Sequence, residues 1–275
     1  MITFKWVEKD GVVMNDIQWT EELAEEWGNR TTGRLYIRDQ EHFRQSEFFL
    51  NQYSELKTEI ESILNGEITD QKFSMTYAQR KEGLKYLPRL KSTPLNKGIR
   101  QRFHQSNLDF KYEVTYKEGI FYDSKKNQGF DFALWDQEYN FMNFRNLCFG
   151  RRALSYGKDH WNKEIRKNSG WEEMNEKLGA DKLQKGVDVD HRKRQPTILG
   201  EIQFGNWGLV YRDILKVVQV ERDEDVDLLI YITATGNLDK RISTATVNFN
   251  KTKKLFEEFK NVLSMPIWLI GIDIE

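Results

Sequence analysis

Residues 186–207 carry acids at 188, 190 and 201 and an amide at 203, in the run Gly-Val-Asp-Val-Asp-His-Arg-Lys-Arg-Gln-Pro-Thr-Ile-Leu-Gly-Glu-Ile-Gln-Phe-Gly-Asn-Trp. Apolar residues alternate with acids over 187–190, and alternation returns at the end of 197–204. Two short strands joined by a basic turn are therefore expected. A period of two puts Asp188 and Asp190 on one face, and Glu201 with Gln203 on a face that Ile202 turns away from. Strands rich in Ile, Leu and Val are buried, and a buried carboxylate is costly unless it is paired or binds a metal. Three chemistries fit. The acids can neutralise Lys and Arg on a sheet face. Alternatively Asp190 and Glu201, with the Ile202 carbonyl beside them, can hold Mg²⁺, which takes one or two carboxylates plus waters and a phosphate oxygen. That would be metal-assisted hydrolysis of a phosphodiester. Nucleotide binding is the third, and no Gly-rich phosphate loop supports it.

The elements around this stretch read as follows. Ile2, Phe4 and Trp6 alternate before an Asp10-Gly11 turn, predicting a hairpin over 2–15. Trp19, Leu23 and Trp27 predict a helix over 16–28, followed by a polar loop at 29–33. A stripe of Phe43, Phe49, Tyr53, Leu56, Ile60, Ile63 and Leu64 predicts one helix from about 40 to 65, stopped by Gly66. Residues 79–102 are basic with interleaved aromatics, which suits either a phosphate-contacting arm or a solvated connection. Hairpin signals lie at 108–114 and 119–122, and helical ones within 130–147 and 161–178. Beyond residue 207, a helix marked by Leu209, Val210, Ile214, Leu215 and Val217 precedes strands at 226–235, 242–249 and 266–272, with a helix at 254–263 between the last two. Apolar strands alternating with helices predict an α/β chain with a mixed β-sheet flanked by helices on both faces. Residues 1–160 then form a large N-terminal α+β elaboration and 161–275 the core.

Bulk composition narrows the function. At 39% hydrophobic and 31% charged, with only 4 Pro, the chain folds rather than staying disordered. A net charge of −1 argues against a protein that coats DNA by charge alone and leaves room for a local basic cleft. The single Cys148 excludes an intrachain disulfide and a multi-cysteine zinc site, and suits a reducing cytoplasm. No signal peptide is visible, and no run approaches the roughly 20 apolar residues of a membrane span. A cytoplasmic location is expected.

Asp190 followed by Glu201-Ile202-Gln203 resembles the PD-(D/E)XK nuclease pattern, an acid followed by acid-x-lysine on the adjacent strand, with Gln203 in the lysine position. The run from Asp188-Val189-Asp190 to Glu201-Ile202-Gln203-Phe204-Gly205-Asn206 is similar to the Asp-Ile-Asp…Glu-Val-Gln-Phe-Ser-Asn segment of BglII-like type II restriction endonucleases. The turn before the glutamate is longer here, and no proline precedes Asp190. The resemblance implies a PD-(D/E)XK core, selects Asp190 over Asp188, and makes Asp190, Glu201 and Gln203 catalytic. Asp190, Glu201 and the Ile202 carbonyl would then hold Mg²⁺, and Gln203 would position the attacking water without acting as a base, since an amide does not titrate near neutral pH. Glu172, Glu173 and Glu176 would add a further ligand or only surface charge. Double-stranded DNA is the implied substrate, a homodimer the implied assembly, and a DNA methyltransferase the functional companion in a restriction-modification system. A non-catalytic DNA-binding module on a nuclease-like core is the alternative.

Overall fold

A computed structural model describes residues 12–14, 17–69, 71–78, 87–123, 129–223, 226–242 and 247–275. The first half of the hairpin expected at 2–15 lies outside them. Strand β1 (Val12–Met14) pairs with β2 (Ile17–Trp19), so Trp19 ends a strand and not a helix. Helix α1 (Glu21–Asn29) starts where the Thr20 hydroxyl accepts from the Leu23 amide, satisfying one of the unpaired N–H groups of its first turn.

The single helix expected over 40–65 is a strand and two helices. Strand β3 (Gly33–Phe43) is followed by α2 (Ser46–Gln52) and α3 (Ser54–Leu64). Arg44 and Gln45 turn the chain with positive φ, and Tyr53 breaks the helix at φ −114°, ψ 56°. Leu56, Ile60, Ile63 and Leu64 are buried as the stripe requires, but Phe43 belongs to the strand. Next come β4 (Gly66–Ile68), β5 (Met75–Ala78), β6 (Leu87–Leu90) and α4 (Ser92–His104). Within the basic 79–102 stretch, residues 79–86 lie outside the described ones, and the rest is a strand and a helix.

The second hairpin is present as β7 (Lys111–Lys117) and β8 (Ile120–Tyr122). Strand β9 (Phe130–Leu134) leads into α5 (Gln137–Phe149), α6 (Gly157–Glu164) and α7 (Trp171–Leu178). The last third holds β10 (Ile198–Gln203), α8 (Trp207–Asp223), β11 (Leu228–Ala234), α9 (Gly236–Arg241), α10 (Phe249–Glu258) and β12 (Ile267–Ile274). Of the strand expected at 242–249, Ile242 makes one bridge to Leu90, residues 243–246 lie outside the described ones, and Phe249 already belongs to α10, which the Asn248 side chain caps. The helix expected at 254–263 therefore starts earlier.

Eight strands form the main sheet in the order β4-β3-β12-β11-β10-β9-β7-β8. Strands β10, β11 and β12 are parallel, while β3 and β9 flank them antiparallel, so the sheet is mixed. Helices cover both faces. Ile202, Phe132, Ile230, Ile270 and Trp268 pack under α1–α4 and α9, and Leu199, Leu229, Tyr231 and Leu269 pack under α8 and α10. A third cluster joins α5, α6 and α7 to β8 through Phe141, Phe144, Trp161 and Trp171. Strand pairing crosses residue 160 at β3–β12 and at β9–β10, so the sheet draws on both sides of that position. Among the described residues, no helix is long and apolar enough to cross a membrane.

The β9–β10 register depends on one glycine. Gly200 lies opposite Phe132, and a Cβ there would sit 2.0 Å from the ring. Gly200→Ala should therefore cost about 2–3 kcal/mol by overpacking, read as a lower denaturant midpoint at unchanged m-value.

Candidate active site

Strand β10 is buried along its length, and its alternation is realised. Leu199, Glu201 and Gln203 face α8, whereas Ile202 packs into the opposite core. The pairing of β10 with β9 runs to Gly200 and Phe132, and the next residue on each strand is an acid, Glu201 and Asp131, close enough for each charge to act on the other. The Ile202 N–H donates to Asp131 Oδ2 at 2.8 Å. Asp131, Glu201, Ile202 and Gln203 line a cavity of about 250 Å³ together with Asn96 and Arg100 of α4 and Arg212 of α8.

Asp190 is not among them. The four-residue alternation at 187–190 does not make a strand; the segment is irregular, and Asp190 is exposed. Its neighbours are tied to α5 by side chains: Arg145 donates to the Val187 carbonyl at 2.6 Å, and Asn146 exchanges two bonds with the Val189 backbone. Asp188 accepts from the Arg151 N–H at 2.9 Å. From there the chain runs past the far end of β9, with the Arg194 N–H on Asp136 and the Gln195 amide on the Trp135 carbonyl. It enters β10 at Ile198, opposite Leu134, three positions before Glu201. The acid beside Glu201 is therefore Asp131, not Asp190. The signal for Asp131 was in the sequence: it is the one charge in the apolar run Phe130-Asp131-Phe132-Ala133-Leu134. Three helices separate it from Glu201, so a search for adjacent strands passes over it.

Other expectations resolve in the same way. Glu172, Glu173 and Glu176 are exposed on α7, away from this cavity. His191 Nε2 lies 3.5 Å from Glu138. Asn206 opens α8 as expected, its Oδ1 accepting from the Gly208 N–H at 3.0 Å. The basic stretch contributes through α4: Asn96 donates to the Ile202 carbonyl at 2.8 Å, and Arg100 lies 2.9 Å from Glu113 and 3.5 Å from Asp131.

Behind the cavity is a polar network carried by α8. Asp213 is fully buried in the helix stripe Val210–Ile214–Val217. Its Oδ2 accepts from Gln203 Nε2 at 3.1 Å and from the Tyr231 hydroxyl at 3.2 Å. Lys216 Nζ hydrogen-bonds to Glu201 Oε1, lies 3.3 Å from Asp213 Oδ1, and donates to the Gly129 carbonyl at 3.2 Å. Gln203 Oε1 accepts from the Gly205 N–H at 3.0 Å, so both ends of its amide are used inside the protein. Neither Asp213 nor Lys216 belongs to a motif of the sequence. An acid interrupting an apolar helix stripe was the available signal.

Burial sets the electrostatics. It holds the Asp131 carboxyl above its ordinary 3.8, against the pull of Arg100 and the Ile202 N–H. It also holds Glu201 well above 4.5, reinforced by Asp213 and Asp131 and opposed by Lys216. Two neighbouring acids kept from easy ionisation, in a cavity that Ile202 also lines, form an oxygen donor set that suits a hard divalent cation completed by water and phosphate. Among the described residues, no group of three or more His, Cys, Asp or Glu side chains is arranged to hold a metal ion by itself.

Comparison with known proteins places the chain among the restriction endonucleases. A family model described as restriction endonuclease BglII/BglIII matches residues 39–272. The chain belongs to that family, whose members are type II site-specific deoxyribonucleases that cleave DNA at defined sequences. Among solved structures, the crystal structure of restriction endonuclease BglII complexed with a DNA 16-mer is similar at 14% identity and TM-score 0.44, over 85% of this chain and 74% of that one. The crystal structure of free BglII is similar at 14% identity and TM-score 0.41, over 85% and 77%. No curated protein matches the chain.

An acid whose folded pKa is raised stabilises the fold fully below its unfolded pKa and loses that contribution as pH rises through the folded value. Asp131→Asn keeps an oxygen for the Ile202 N–H and cannot ionise. In metal-free protein its Tm should gain on wild type as pH is raised above 3.8. Thermal unfolding over a pH series checks this, and an offset that is constant with pH would contradict it.

Proposed function

We propose that the chain is a Mg²⁺-dependent endonuclease that cuts double-stranded DNA at a specific sequence, with its site at Asp131, Glu201 and Gln203. The observation that supports it is that Asp131 and Glu201, just past the last pair of antiparallel β9 and β10, line one solvent-open cavity edged by Arg100 and Arg212. Asp131 and Glu201 would hold the cation, and the Ile202 carbonyl keeps a second lone pair beside the one that Asn96 occupies. Bound there, the ion would polarise the phosphodiester and lower the pKa of a water.

The chain's own groups do the rest. Asp131 is oriented by the Ile202 N–H. Glu201 offers Oε2 to the cavity while Oε1 is held by Lys216. Arg100 and Arg212, at the rim, suit the phosphates on either side of the cut. Gln203 cannot take a proton, so the water's proton leaves to solvent or to a substrate phosphate. A palindromic site cut on both strands calls for two copies of this chain, and we infer a homodimer. Host defence with a companion methyltransferase is the matching biological role.

The test is digestion of phage DNA with and without Mg²⁺. Discrete fragments are expected with the ion and none without it. Asp131→Asn and Glu201→Gln should each lower the single-turnover rate by about 10²–10³-fold, the scale of losing one preorganised group at a reacting phosphate. Asp190→Ala should cut within about threefold of wild type, as an exposed surface change does. The reverse pattern, with Asp190→Ala inactive and Asp131→Asn active, would overturn the assignment.

A further inference from the structure

The acid-x-lysine pattern puts a cation on the same strand as the acid, but here Gln203 stands in that place and β10 carries no cation at all. A cation is nevertheless delivered to Glu201 from the neighbouring helix. Lys216 comes off α8 beside the buried stripe Val210–Ile214–Val217, and its side chain is only 17% exposed. Its ammonium touches Glu201, Asp213 and the carbonyl of Gly129, and lies 5.1 Å from the Phe130 ring. Those contacts span the start of β9 and the middle of β10, on either side of the Asp131–Glu201 pair.

Stability alone is a poor reason for this arrangement. A buried ion pair is often no better than well-packed apolar side chains of similar volume. Asp213 sits where the helix stripe would otherwise carry an aliphatic residue, and it is held by Gln203, Tyr231 and Lys216 together. Gln203 lines the cavity, and its amide is anchored at both ends, Nε2 on Asp213 and Oε1 on the Gly205 N–H. The chain of contacts Gln203–Asp213–Lys216 ends at Glu201.

We propose that Lys216 is the catalytic cation of this enzyme, supplied from the helix instead of the strand, and that Gln203 is a positioning residue acting on it through Asp213. The inference rests on Asp131 and Glu201 being the cleavage site. Lys216 stays protonated throughout. Its ammonium turns from Glu201 towards a non-bridging oxygen of the scissile phosphate and stabilises the negative charge that builds there.

Four variants test this, Lys216→Met, Lys216→Arg, the double variant Gln203→Lys/Lys216→Met, and Glu201→Gln, each compared with wild type in three measurements. Single-turnover cleavage with Mg²⁺ should fall about 100-fold in Lys216→Met and recover at least about tenfold in Lys216→Arg or in the double variant, which moves the ammonium back to the strand. DNA affinity in Ca²⁺ should stay within about threefold of wild type in Lys216→Met, because the contact matters in the step rather than in binding. Ca²⁺ titration of the DNA-free protein should show equal or tighter binding in Lys216→Met, which takes a positive charge off Glu201, and weaker binding in Glu201→Gln. A loss of cleavage under tenfold in Lys216→Met, a loss that neither cation-bearing variant recovers, or a parallel loss of Ca²⁺ binding would overturn the role. If Glu201→Gln cleaves like wild type, the site itself is misassigned; if Glu201→Gln is inactive while Lys216→Met is not, only Lys216 is.

Discussion

Everything at the site depends on how β9 and β10 lie against each other. The Phe132 ring fills the space where Gly200 has no side chain, and on the same strand Asp131 accepts from the backbone of Ile202. Both contacts fix one register, because a slip by a single residue would drive a Cβ into the ring and turn the acids to the other face. In that register Asp131 and Glu201 open onto one cavity, while Phe132 and Ile202 enter the core on the opposite side from α8. The chemistry of the site is thus held by packing as well as by hydrogen bonds.

The polar face is expensive for the fold and is compensated locally. Asp131 and Glu201 are both held towards their protonated forms by burial, while Lys216 opposes that shift at Glu201. Asp213 brings a further negative charge inside, matched by two hydrogen-bond donors and the same lysine. A protein selected only for stability would place aliphatic residues along this stripe. The concentration of charge at one buried place, in a chain whose net charge is −1, is the physical signature of a functional site rather than of a structural core.

The regions outside the central strands serve this site in different ways. Helix α4, within the basic stretch, puts Asn96 and Arg100 at the cavity and also lines a neighbouring cleft with Lys97 and His104. Helices α5 to α7 are inserted between the two strands that carry the acids. Their aromatic cluster makes them a unit of their own, and Arg145, fully buried, gathers the returning segment at 183–187 onto α5. The insertion lengthens the path from Asp131 to Glu201 without altering the strand pairing.

By itself the sequence determined the local and periodic features. Strand β10, its two faces, the parallel strands β11 and β12, the hairpin β7–β8 and the cap at Asn206 all follow from alternation, apolar runs and turn residues, which act over a few neighbours. The mixed, helix-covered sheet was legible for the same reason. Strand β3 was not, because Phe43 fits the helical stripe that follows it, and only eight pairings with β12 decide otherwise. The partner of Glu201 was not either. Alternation at 187–190 offered Asp188 and Asp190 alike and the resemblance selected Asp190, but four residues cannot hold a strand against the side chains of α5 that take up its backbone groups. Which acid faces Glu201, and that Lys216 and Asp213 join it, was decided by long-range strand pairing and helix packing, which bring together residues that no spacing in the chain connects.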